Sequence, residues 1–207
     1  APNTLPLGGV VKAGKGVISS SGSQMTVNQN SQKLVVNWNS FDIGSNAAVN
    51  FNQPNAQAVA LNRINSTSPS QIYGRLTANG QLFFINPNGV VFGPGSQVNA
   101  AALIVSTHNL SDANFLSGNY LFNPVSVNSA AILNQGSIQV HNGGVVTLIA
   151  HNINNVGSIS APGGTIGLLA GDTVTAPLSL QGSHPFIVGA TSDGDASIIN
   201  SGTLSAA

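Results

Sequence analysis

The stretch Asn134-Gln-Gly136-Ser-Ile138 returns as Asn155-Val-Gly157-Ser-Ile159 and again as Asn200-Ser-Gly202-Thr-Leu204. After the first two copies, Gly143-Gly144 is matched by Gly163-Gly164, and Val146-Thr-Leu148-Ile-Ala150 by Ile166-Gly-Leu168-Leu-Ala170. The offset is 21 residues for the first block and 20 for the others. A period near twenty, built from short apolar bursts and Gly/Asn corners, is the pattern of a β-solenoid. One coil cannot bury its inward face, so successive coils stack and line a common core. A leucine-rich repeat has a similar period but needs a Leu-x-x-Leu-x-Leu frame, which is missing here. An all-β sandwich is the alternative. The expected fold class is therefore all-β, a right-handed parallel β-helix.

Outward from the repeat, hydrophobicity alternates in short runs. Met25 and Val27 read as one strand, and Leu34, Val36 and Trp38 as another with period two. Leu82-Phe-Phe-Ile85 reads as a buried strand closed by the turn residues Asn86-Pro-Asn-Gly89, and Ala102-Leu-Ile-Val105 and Val145-Val-Thr-Leu-Ile149 behave likewise. No segment has helical periodicity with caps. The third repeat follows the second by 45 residues, longer than two coils, so residues 174–192, with Pro177, His184 and Pro185, are expected to leave the helix as an extra-helical β-hairpin. Residues 109–128 are a second such excursion. Residues 1–23 lack coil spacing and are expected to cap the N-terminal end, since an open solenoid end is an unpaired edge. Residues 24–207 form the β-helix of a single domain, 1–207. Seven to nine coils at about 4.8 Å each would make a rod of about 35–45 Å.

Composition agrees. The 207 residues include five Lys plus Arg, five Asp and no Glu, for a net charge of zero. That balance leaves no electrostatic footprint for nucleic acid. No apolar run approaches the roughly 18 residues of a membrane helix, so no membrane insertion is expected. Polarity comes instead from 26 Asn, 25 Ser and 24 Gly, which favour turns and strands over amphipathic helices. Cysteine is absent, which excludes a disulfide framework, a thiolate metal site and a Cys nucleophile. The opening Ala1-Pro2-Asn3 suits a mature chain whose signal peptide has been removed. The close at Ala207 looks like a cut through a longer chain, so a fragment is expected.

Few residues could carry catalysis. A glycosidase needs two carboxylates placed together, and the only acids are Asp42, Asp112, Asp172, Asp193 and Asp195. Asp193-Gly-Asp195, beside Ser192, reads as a turn. Pectin-cleaving β-helices gather several Asp with Lys or Arg, whereas Lys12, Lys15, Lys33 and Arg63 all lie before position 64. None of His108, His141, His151 and His184 has a second ligand at metal spacing. Neither an enzyme, a metal site nor a cofactor is expected. Arg63 sits in an apolar stretch, and a partly buried guanidinium would need carbonyls, Asn side chains or Asp42 as acceptors.

Three patches remain: Trp38-Asn-Ser-Phe41-Asp-Ile43-Gly44 with Val49-Asn-Phe51-Asn-Gln53-Pro54; Ala60-Leu61-Asn62-Arg63-Ile64 running to Ser68-Pro69-Ser-Gln-Ile72-Tyr-Gly74; and Asn79-Gly80 through Asn86-Pro87-Asn88-Gly89 to Gly93. Together they resemble the N-terminal secretion domain of two-partner secretion exoproteins, a family that includes filamentous haemagglutinin and the high-molecular-weight adhesins. The tetrad Asn86-Pro87-Asn88-Gly89 corresponds to the family's hallmark. Residues 60–63 and 74–81 match the branch of high-molecular-weight adhesins and haem-haemopexin-binding proteins. The second hallmark of the haemagglutinin branch, Asn-Pro-Asn-Leu, is not present, which points the same way. The resemblance covers residues 5–170.

It implies a secretion and folding-nucleation module at the head of a large exoprotein, with an adhesin- or haemagglutinin-like passenger. The partner implied is an outer-membrane β-barrel transporter that recognises the chain through its periplasmic domains. The chain would pass through the periplasm to the cell surface or medium, and a monomer is expected. The tetrad would serve as recognition or folding motif, with Asn62, Arg63, Trp38 and Phe41 as structural residues. The other readings are a glycan-binding adhesin head, which would call for surface aromatics such as Trp38, Tyr73 and Tyr120, and, last, a carbohydrate-active enzyme.

Overall fold

The computed structural model describes residues 1–124, 130–171 and 195–207. Short strands follow one another around a three-sided coil, and each pairs in parallel with its counterpart one coil on. The first sheet stacks Lys33–Trp38, Val59–Ile64, Gln81–Ile85, Ala102–Ser106, Val145–Ala150 and Thr165–Ala170. The second stacks Ser70–Ile72, Val90–Phe92, Ala131–Asn134, Asn152–Asn155 and Ser197–Asn200. The third runs from Gln24–Gln29 and Ala48–Asn52 through Arg75–Ala78, Gln97–Ala100 and Ser137–Val140 to Ser158–Ser160 and Thr203–Ser205. The result is a parallel β-solenoid of about six turns. That is fewer than seven to nine, because the early coils are longer than the repeat: Leu34 pairs with Ala60 and Ala60 with Leu82.

The sequence repeat is the structural register. Val146 lies opposite Ile166, Asn134 opposite Asn155 and Asn155 opposite Asn200, while Ile138, Ile159 and Leu204 form one column. Alternate residues point inward and close a core that runs from Met25 to Ala161 and includes Val27, Leu34, Val49, Leu82, Leu103 and Val146. The third sheet keeps a polar outer face, with Asn50, Thr77, Asn99 and Gln139 in one register column, and so shows clean alternation.

The first sheet does not alternate. Gln81–Ile85 and Ala102–Ser106 are buried at every position. Its outward residues Val35, Leu61, Phe83 and Ile104 belong to a second core, covered by Leu110, Phe115 and Phe122. A strand covered on both faces has no solvent side on which to place polar residues, hence the unbroken apolar runs.

The cover comes from the first excursion, closed at its base by a single antiparallel bridge between Asn109 and Asn123. Its tip is not a pair of strands but a five-residue helix, Asp112–Leu116, too short to leave a periodic signal. Ser111 caps the helix through Asn114 N–H, and Gly118 closes it at φ +75°. The excursion expected at residues 174–192 lies outside the described residues. At the N-terminal end, Gly16–Ser21 folds back antiparallel on Gln24–Gln29, and Val10–Ala13 lies antiparallel on Lys33–Trp38. These two antiparallel strands cover the edge of the first coil.

Candidate functional site

Asn86-Pro87-Asn88-Gly89 forms the corner between Gln81–Ile85 and Val90–Phe92. Gly89 N–H donates to Asn86 O at 3.0 Å and closes the turn. Gly89 has φ +107°, and a Cβ there would lie 2.6 Å from Ala131 O in the next coil, so glycine is required twice over. Asn86 is fully buried. Its Oδ1 accepts from Asn88 N–H at 2.9 Å, and its Nδ2 donates to Ser68 O and Ser70 Oγ at 3.1 Å each. Asn88 Nδ2 donates to Ser66 O at 2.6 Å. The tetrad thus ties its coil to residues 66–70 of the preceding one. Both amides are occupied inside the fold. Asp at position 86 would set a buried carboxylate against a carbonyl, so it is not a mild probe there.

The other residues singled out fall into two places. Trp38 and Phe41 lie in the main core, each 1% exposed, with their rings edge-on at 5.1 Å; Phe41 meets Phe84 at 4.8 Å. Trp38 Nε1 donates to Asn62 Oδ1 at 2.9 Å, and Asn62 Nδ2 donates to Phe83 O at 3.3 Å. Asn62 therefore satisfies the indole and one main-chain carbonyl in the interior. Arg63 points the other way, off the outer face of the first sheet. It donates to Leu110 O, Asp112 Oδ1, Asn109 Oδ1 and Asn37 Oδ1. Its acidic partner is Asp112, not Asp42, which accepts from Gln71 N–H. The excursion brings in a carboxylate from 49 positions away, beyond what sequence proximity indicates. Lys33 Nζ adds a bond to Leu116 O at 2.6 Å, at the C-terminal end of the short helix.

Sequence inspection missed the residues that these groups hold. Leu110, Phe115, Tyr120 and Phe122 share no period, and only Ser111 as an N-cap could have marked the helix. Phe83 gathers three of them: Tyr120 at 4.9 Å, Phe115 at 5.6 Å and Phe122 at 6.3 Å. Burial raises the Tyr120 phenol above its ordinary pKa, because the phenolate would be poorly solvated there. Of the aromatics that could form a sugar platform, Trp38 is buried and Tyr120 packs on Phe83, leaving Tyr73 at 36% exposure beside Gly93. Among the described residues no cluster of three His or Asp could hold a metal, and no helix is long and apolar enough to cross a membrane.

Known proteins resemble this chain over its whole length or part of it. The family model "TPS secretion domain" matches residues 3–207. A "Heme/hemopexin-binding protein" of Haemophilus influenzae strain Rd is 43% identical over 106 residues, covering 51% of this chain and 12% of the relative. A second Haemophilus influenzae protein of the same name is 44% identical over 99 residues, 48% of this chain and 11% of its own length. The crystal structure of the HMW1 secretion domain from Haemophilus influenzae superposes with a TM-score of 0.88 at 29% identity, covering 96% of this chain and 53% of that one. The chain thus spans about half of the solved relative and roughly an eighth of the curated ones.

Proposed function

This chain belongs to the TPS secretion domain family of two-partner exoproteins, and we propose that it directs export of a large exoprotein and nucleates its folding. A cognate outer-membrane transporter is the partner that the family implies, and we assign its recognition of the chain to the transporter's periplasmic domains. The route leads through the periplasm to the surface or medium. Family and fold are those of a secretion domain and not of an enzyme family. An adhesin- or haemagglutinin-like passenger fits the relatives, and haem or haemopexin binding is the activity their names suggest for it.

The observation that carries the nucleation role is the unlike construction of the two solenoid ends. The N-terminal coil is covered by antiparallel strands, and growth can proceed only from the other end. Low charge and the absence of cysteine also suit a chain held extended in an oxidising compartment.

We assign the tetrad a folding role within this function. Its amides are committed to Ser66, Ser68 and Ser70, so its effect on export runs through the coil-to-coil tie. The test is Asn88→Ala, combined with a stabilising substitution elsewhere that restores the parental Tm. Secretion should recover with Tm. Secretion that stays low after Tm is restored would show instead that the transporter reads this amide directly.

A further inference from the structure

The last coil is built unlike the first. Ser197–Asn200 and Thr203–Ser205 end their sheets, each paired on one side only among the described residues. Ile198 and Leu204 continue two inward columns. Their predecessors Ile132, Ile153, Ile138 and Ile159 are 1% exposed or less, whereas Ile198 is 46% and Leu204 39% exposed. Core-type residues therefore stand uncovered at this end.

A polar ladder rises beside them. Asn134 Nδ2 donates to Asn155 Oδ1 at 2.8 Å and to Ser158 O at 3.3 Å. Asn155 Nδ2 repeats this one coil on, to Asn200 Oδ1 at 2.8 Å and Thr203 O at 3.4 Å. Asn134 and Asn155 are fully buried, and Asn200, next in line, is exposed. Two residues further along each coil runs a glycine column. A Cβ on Gly157 would collide with Gly136 O, and one on Gly202 with Gly157 O, so stacked coils touch too closely here for any side chain. Two residues beyond that come Ile138, Ile159 and Leu204.

We propose that the C-terminal end is a template for one more coil joined in cis, and that it selects that coil by register. The coil must place Asn over Asn200, Gly over Gly202 and an aliphatic residue over Leu204. This inference rests on the nucleation reading and states what the nucleus hands on, a hydrogen-bonded register. The occupant is a coil of the same repeat because the interface it forms continues the one below it. A carbonyl pair at Asn-ladder spacing, a Cβ-free corner and an apolar lid are what each coil already receives from the next. The ladder also works against slippage, since a one-residue shift would set an aliphatic side chain against a buried amide.

The test appends a copy of residues 142–161 to residue 207, which places the copied Asn, Gly and Ile at repeat spacing beyond Asn200, Gly202 and Leu204. Three versions are compared with the 207-residue chain: the faithful copy, the copy carrying Asn155→Leu, and a scrambled segment of equal composition. Tm and amide hydrogen exchange are the readouts. The faithful copy should raise Tm and slow exchange in Ser197–Asn200 and Thr203–Ser205 by about tenfold or more. The Asn155→Leu copy should lose most of both effects, and the scrambled segment all of them. Equal gains from the scrambled segment, or no gain from the faithful copy, would overturn the proposal. So would end-to-end dimerisation of the 207-residue chain that protects the same strands, because the occupant would then be a second copy. No transporter takes part, so failure here leaves the export role standing, and failed export leaves this result standing.

Discussion

Replacing Arg63 with alanine removes the group that fastens the excursion to the first sheet. Arg63 is 17% exposed and Asp112 42%, so their ion pair is screened and worth about 0–1 kcal/mol. The bond to Leu110 O is different. Leu110 is fully buried, and a charge-assisted bond to a carbonyl that then loses its partner is worth about 1.5–3 kcal/mol. The contacts to Asn109 at 3.2 Å and Asn37 at 3.4 Å add little. Arg63→Ala should therefore cost about 2–3 kcal/mol, or about 5–10 °C in Tm for a chain of this size. Asp112→Asn should cost less than about 1 kcal/mol. Arg63→Lys keeps the charge but loses the fork that reaches Leu110 and Asp112 together, so it should resemble alanine more than the parent. Urea melts of the four proteins, followed by circular dichroism, give these differences. An Asp112→Asn cost equal to that of Arg63→Ala would refute the reasoning, because the ion pair and not the buried carbonyl would then be the fastening. An unchanged Arg63→Ala midpoint would show that the excursion seats itself without the arginine.

Gly89→Ala meets a positive φ and the Ala131 carbonyl together, and should lower stability by about 1–3 kcal/mol in a thermal melt. Gly157→Ala, which forces coils apart at the Gly136 carbonyl, should destabilise by about 1–3 kcal/mol; an unchanged Tm would mean the stack can spread freely. Tyr120 stays protonated in the fold above the pH at which it ionises in the unfolded chain. The stability this contributes is complete below about pH 10 and declines as pH rises through the folded pKa. Urea midpoints above pH 10 should thus fall more steeply for the parent than for Tyr120→Phe, and parallel curves would count against a buried phenol.

The fold was legible where neighbouring coils repeat one another. The match of Val146 with Ile166 and of Asn134 with Asn155 in the sequence is the pairing in space, because stacked coils put equivalent residues one strand apart. Leu82-Phe-Phe-Ile85 was readable as a buried strand from its unbroken apolar run, but not what buries its outer face. That face is covered by residues of irregular spacing, and tertiary contact, unlike periodicity, leaves no local trace. Arg63 shows the same boundary. Its need for acceptors follows from its apolar setting, whereas the choice of Asp112 over Asp42 depends on where the excursion lands. The turn chemistry of the tetrad was plain, yet the burial of Asn86 and its ties to Ser68 and Ser70 come from the coil beneath.

The central claim is that this domain is an export and nucleation module served by an outer-membrane barrel. Its most direct test expresses the chain with a signal peptide in a bacterium that either carries or lacks the cognate barrel, and measures the chain in medium, surface and periplasmic fractions. The account predicts a folded, protease-resistant chain outside the cell only when the barrel is present, and retention in the periplasm without it. Equal release in both strains, or retention in both, would contradict it.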